Sequence, residues 1–276
     1  MTFRADASMI HIKEYPLRKV KRLFSIKFVP IIGKNIKTEK QKKSYFLLLF
    51  SHLIVSLHTI MAILYTHKEE LWNSWSHAGG IVIGVVFGVV FLIMAFQGEN
   101  PWARLGVCLY LFGMLGSYIA STVYHALPLR SKWRQRFRKW DHAAIYWHIA
   151  GSYSPLTLVA LRTQGYWGWS LFTFVWLCAI AGTIVSFVRL KEHSNLETFC
   201  FIGMGLSVLV AFKPLIDSVS TAAVIWIIAE GVCYITGALF YSLHRKRYMH
   251  SVFHFFVLAG SICHIIAVWD VLMEYL

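Results

Sequence analysis

Ser121-Thr-Val-Tyr-His125 closes one long apolar run, and Trp140-Asp141 opens the next, with a basic stretch between them. A run of about 20 apolar residues is what an α-helix needs to cross the hydrocarbon of a bilayer. The boundary between two such runs therefore reads as a turn between membrane helices. Near the other end of the chain, His250-Ser-Val-Phe-His254 begins a further apolar run. Residues four apart share one helix face, about 6 Å apart along the axis. His250 and His254 thus form a pair to which His125 and Asp141, at neighbouring helix ends, can add. The expectation is an all-α polytopic membrane protein with a metal site at one end of its helices.

Composition agrees. Of 276 residues, 57% are hydrophobic and 14% charged, against roughly 25% charged in soluble domains. The five cysteines, Cys108, Cys178, Cys200, Cys233 and Cys263, lie in apolar segments without close pairing and read as packing residues. The formal net charge is +14, and residues 1–43 carry 12 Lys and Arg against three acids. No base-reading motif or stacking platform accompanies them, so nucleic acid is not expected as a partner. A basic strip beside a membrane span suits anionic lipid. No secretory signal is recognisable.

Three regions follow: a basic cytoplasmic tail 1–43, an apolar stretch 44–66 and a membrane domain 67–276. Candidate spans lie near 75–96, 104–127, 141–162, 168–188, 197–213, 222–242 and 251–273, seven in all. Arg130, Lys132, Arg134, Arg136, Arg138 and Lys139 crowd one loop, Arg189 and Lys191 a second, and Arg245, Lys246 and Arg247 a third. The intervening loops hold only Arg104, Arg162 and Lys213. The positive-inside rule puts the basic loops in the cytoplasm and the C-terminus outside. A spanning 44–65 would carry the basic tail outside. It is therefore expected as an additional N-terminal interfacial helix, the alternative being an eighth span.

On this topology His125, Asp141, His250 and His254 arrive at one membrane level from three segments. Three neutral imidazoles suit tetrahedral zinc with one position left for water, the pattern of catalytic sites. Zinc lowers the pKa of bound water toward neutrality. Asp141 is the candidate base, and Ser121, one turn before His125, can hydrogen-bond the same water or carboxylate. His-Glu-x-x-His is absent, so the base must come from elsewhere than the histidine pair. A competing reading makes the histidines helix-to-helix hydrogen-bonders. His142, His148 and His264 are rival ligands, and His148 and His264 are read as buried hydrogen-bonding groups. Glu70, Asn73 and His77 form a second cluster at the start of the first span, read either as helix capping or as support for the ligands. Gly151-Ser-Tyr-Ser-Pro155 reads as a kink, and Glu230 is an acid within a span.

The motifs Glu70-x-x-Asn73-x-x-x-His77, Ser121-Thr-x-Tyr-His125, Asp141-His142-x-x-Ile145, Ile149-Ala-Gly-Ser-Tyr-Ser-Pro155 and His250-x-x-x-His254 together resemble the haemolysin III family. That family belongs with the progestin and adipoQ receptors, which include the adiponectin receptors. The resemblance runs over residues 68–273; residues 1–66 have no counterpart in it. It implies seven helices with the N-terminus inside. It also implies zinc bound by His125, His250 and His254, with Asp141 and Ser121 beside the zinc-bound water. The adiponectin receptors are associated with ceramide hydrolysis, and bacterial members carry the haemolysin name and are linked to membrane lipid homeostasis. The expected function is zinc-dependent, ceramidase-like lipid amide hydrolysis in a bacterial inner membrane, with a membrane lipid as substrate. The alternatives are a non-enzymatic sensor or receptor with structural zinc and, less favoured, a cytolytic pore.

Overall fold

The computed structural model describes residues 66–129, 131–189, 195–243 and 246–276. The expected basic tail 1–43 and interfacial helix 44–66 lie outside these residues, Thr66 excepted. The described residues form helices and no strand: α1 (His67–Gln97), α2 (Pro101–Ala126), α3 (Lys132–Pro155), α4 (Trp167–Arg189), α5 (Asn195–Gly205), the short α6 (Phe212–Ile216), α7 (Thr221–Ser242) and α8 (Met249–Tyr275). Helix α3 runs on through a π-helical turn, Leu156–Ala160, and α5 through a 3-10 turn, Leu206–Ala211.

Polar residues set the helix starts. Thr66 and Glu69 form a capping box: the Thr66 hydroxyl accepts from the Glu69 N–H at 3.2 Å, and the Glu69 carboxylate accepts from the Thr66 N–H at 2.7 Å. This satisfies two of the N–H groups a helix start leaves open. Asn100 caps α2 ahead of Pro101, and Ser131 caps α3. The helices that hold the spans expected from 75 and from 141 therefore begin earlier, at His67 and Lys132. Both helices begin in polar sequence that hydropathy reads as loop, and Lys132–Trp140 is helix rather than connection.

Among the described residues, six segments are long and apolar enough to cross a membrane: α1, α2, α4, Glu197–Ile216, α7 and α8. Helix α3 is not among them, because its first part is basic. The outward faces are apolar: Val82, Val85, Val89 and Ile93 on α1, Leu177, Ile180, Ile184 and Val188 on α4, Ile228, Val232, Ile235 and Leu239 on α7. Apolar surface on this scale fits a lipid solvent rather than water. The chain is a multi-pass membrane protein.

Without a hydrophobic force between helices, close packing holds a membrane protein together. Gly80, Gly84 and Gly88 make a stripe on α1 against which Tyr118, Leu115 and Leu111 of α2 pack. Helices α2 and α3 approach closer still. A Cβ on Gly113 would stand 2.2 Å from the Trp147 carbonyl oxygen, and one on Gly151 2.9 Å from that of Leu109. Helix α1 packs on α2, α2 on α3, α3 on α4, α7 on α8, and α8 returns to α1. Phe91, Tyr110, Met114, Tyr118, Val268 and Leu272 fill the space between them. Tyr153 of α3 answers the break in the fifth segment: its hydroxyl accepts from the Val208 N–H at 2.9 Å and donates to the Gly205 carbonyl at 2.5 Å.

Gly113→Ala should therefore lower stability by about 1–3 kcal/mol, the usual cost of overpacking. Gly79→Ala, whose Cβ would meet nothing within 4 Å, should be neutral or slightly stabilising. Thermal unfolding of both variants in one detergent checks the pair.

Candidate metal centre

The ends of three helices meet where the sequence is richest in histidine. His125 is in the last turn of α2, and His250 and His254 are in the first turns of α8. Helix α8 starts abruptly, after Tyr248 in the left-handed conformation at φ 62°. The Glu69 carboxylate reaches across from α1 to accept the Tyr248 N–H at 2.7 Å, which fixes the entry of the chain into α8.

The three imidazoles converge. His250 Nε2 lies 3.4 Å from His125 Nε2 and 3.0 Å from His254 Nε2. One nitrogen from each ring falls within 4.8 Å of the others, so the group could hold a metal ion. His125 and His254 are buried and His250 half-buried. Tetrahedral zinc with bonds of 2.0–2.1 Å would separate its nitrogen ligands by about 3.3 Å, close to these spacings.

Neighbouring acceptors settle the tautomers of two rings. His125 Nδ1 sits 2.7 Å from the Glu70 carboxylate. His254 Nδ1 sits 3.1 Å from the Asn73 carbonyl oxygen and 3.3 Å from the Ser76 hydroxyl. A carboxylate and a carbonyl only accept, so both Nδ1 atoms carry their hydrogens. In the neutral rings each Nε2 is then a lone pair, and both lie close to His250 Nε2. A donor set of Nε2 atoms, with Nδ1 held by carboxylate or carbonyl, is the usual outer arrangement of a histidine metal site.

Residues of α1 pack against the three histidines. Asn73 is fully buried; its Oδ1 accepts from the Ser251 hydroxyl at 2.6 Å, and its Nδ2 lies 3.5 Å from His125 Nδ1. His77 stacks on His254 with ring centroids 3.8 Å apart. Capping of α1 falls to Thr66 and Glu69, which leaves Glu70 and Asn73 facing the histidines. Ser121 lies one turn before His125, buried, its hydroxyl without a hydrogen-bond partner among the described residues. Asp141 is half-buried on α3 and stands outside the three-nitrogen group.

The rival histidines have partners elsewhere. His142 Nδ1 meets Glu197 at 3.0 Å and ties α5 to α3. His148 Nε2 lies 3.3 Å from Ser261, and His264 Nδ1 2.7 Å from Glu230, deeper between α7 and α8. Three groups escaped the sequence reading: Ser76, Ser251 and Arg134. The first two are ordinary hydroxyls whose role appears only when helices meet. Arg134 was counted as a loop charge, yet it is buried and bonded to Glu70. The helical spacing of Arg134, Arg138 and Asp141 was the available signal.

The sequence profile of a family described as Haemolysin-III related matches residues 64–265. Hemolysin-3 of Bacillus cereus is 32% identical over 70% of this chain and 87% of its own length. A Hemolysin-3 homolog of Bacillus subtilis is 31% identical over 72% of this chain and 92% of its own. The Monocyte to macrophage differentiation factor of Homo sapiens is 26% identical over 75% and 86%.

Asn73→Leu should strand the buried Ser251 hydroxyl, costing about 1–3 kcal/mol. Ser74→Ala, which loses only a part-buried bond to the Thr122 carbonyl, should cost under about 1 kcal/mol. Unfolding midpoints of the two variants, compared with wild type, check the difference.

Proposed function

The chain belongs to the haemolysin-III-related family, and from that premise we propose that it is a zinc-binding seven-transmembrane protein that hydrolyses a lipid, acting on an amide bond, in membrane lipid homeostasis. The observation that carries this reading is the convergence of the three Nε2 atoms of His125, His250 and His254. Helix α3 is the seventh crossing: its basic start stands at the membrane surface and its later residues, Ala143 to Pro155, are largely buried among the other helices. The cage and the basic start of α3 are cytoplasmic by the positive-inside rule, in a bacterial inner membrane. The C-terminus is then external. Membrane lipid is the partner at the site, and anionic lipid the partner of the basic tail.

Zinc held by the three histidines would supply a Lewis acid and a water acidic near neutral pH. Every other part belongs to the chain. Glu70 and the Asn73 carbonyl hold two imidazoles in the required tautomer. Asp141 accepts a proton from the attacking water. The Ser121 hydroxyl, free of other partners among the described residues, orients that water or the substrate carbonyl. The lipid enters sideways from the bilayer, so its amide meets the cage at the membrane surface.

One observation favours a second reading. The same residues tie α1, α2 and α8 together through Glu70, Asn73, Ser76 and Ser251, as a structural zinc in a membrane sensor or receptor would. Activity separates the two. The hydrolase reading expects zinc-dependent turnover from a panel of defined amide lipids. It expects Asp141→Asn to lose at least about 10²-fold of that turnover, the scale of general-base catalysis, with zinc content retained. Absence of zinc-dependent turnover across the panel supports the sensor instead.

A further inference from the structure

Arg134 is spent on two tasks that meet at one histidine. It lies in the first turn of α3, is 7% exposed, and its guanidinium stacks over the Tyr124 ring at 4.4 Å. Nη1 donates to the carbonyls of Leu127 at 2.8 Å, Tyr124 at 2.9 Å and His125 at 3.4 Å. These belong to the final turn of α2, where carbonyls are left without helical partners and a positive charge is favoured. Nη2 donates to Glu70 Oε1. The other oxygen of that carboxylate takes the Nδ1 hydrogen of His125. Arg134 therefore grips His125 by its backbone and, through Glu70, by its ring.

We propose that Arg134 is a positioning residue for the metal centre, acting through Glu70 to fix the orientation of the His125 ring. The proposal rests on the zinc reading above. Glu70 is 5% exposed, and a buried carboxylate without a paired cation is costly. With Arg134 in place, one Glu70 oxygen is held by the guanidinium and the other faces His125 Nδ1. Without it the Glu70 side chain loses the contact that fixes its orientation, and the oxygen facing His125 Nδ1 is no longer held in place. Lysine is a partial substitute: it carries the charge but lacks the planar fork that reaches carbonyls and carboxylate together. A helix cap with no bearing on the metal would act independently of Glu70, which gives the proposal its test.

The full-length protein in phospholipid nanodiscs is titrated with zinc against a competing chelator, and with cobalt by visible absorption. Wild type, Arg134→Gln, Arg134→Lys, Glu70→Gln and the two double variants are compared. Arg134→Gln is expected to weaken zinc binding about 10–100-fold, as loss of outer support does, and to alter the cobalt spectrum. Arg134→Lys should recover part of the affinity. Adding Arg134→Gln to Glu70→Gln should weaken binding no further, because both act on one path. If Arg134→Gln does not fold, the cycle of Arg134→Lys with Glu70→Gln decides in the same way. Wild-type affinity in the folded arginine variants, or losses that add to that of Glu70→Gln, overturns the proposal alone. A wild type that binds neither metal overturns the zinc reading, and this proposal with it.

Discussion

Two hydrogen bonds decide what the core of this protein can be. The Glu70 carboxylate takes the Nδ1 hydrogen of His125, and the Asn73 carbonyl takes that of His254. Both rings are then left with bare Nε2 atoms aimed at the same spot, with His250 Nε2 close by. Three imidazole nitrogens so placed could hold a metal ion. A metal ion is the natural cation for three imidazoles. The tie among α1, α2 and α8 follows from the same bonds, since Glu70 and Asn73 come from the first, His125 from the second and His254 from the third.

Backbone packing brings the remaining parts to this end. Gly113 and Gly151 let α2 and α3 run almost in backbone contact, so α3 follows α2 directly and its first turn folds under the end of α2. That is what delivers Arg134 to the carbonyls of Tyr124 and Leu127 and to Glu70. Farther from the cage, hydrogen bonds among Tyr118, Ser261, Tyr234 and His148 and the pair Glu230–His264 join α2, α3, α7 and α8. Polar groups inside a membrane protein need such partners, and these anchor helices whose outer faces meet only lipid.

Much of this was legible in the residues. The apolar runs gave the helices, and His125, His250 and His254 could be placed at one level from spacing and loop charge alone. Hydropathy failed where helices begin in polar sequence. The capping box of Thr66 and Glu69 opens α1 well before its apolar part, and Ser131 opens α3 within a basic stretch. The same blindness hid Arg134, which was assigned to a loop although it lies in the first turn of α3 with its side chain buried. Ser76 and Ser251 were invisible for a different reason. A serine in a helix carries no sign of its partner until another helix is set against it.

The most direct test of the account is the metal itself: zinc content of the detergent-purified protein, with X-ray absorption at the zinc edge. The account predicts about one zinc per chain, with nitrogen neighbours at about 2.0–2.1 Å, lost from a folded His250→Ala/His254→Ala variant. Wild-type protein that stays free of zinc after repletion, or a double variant that keeps its zinc, would contradict it.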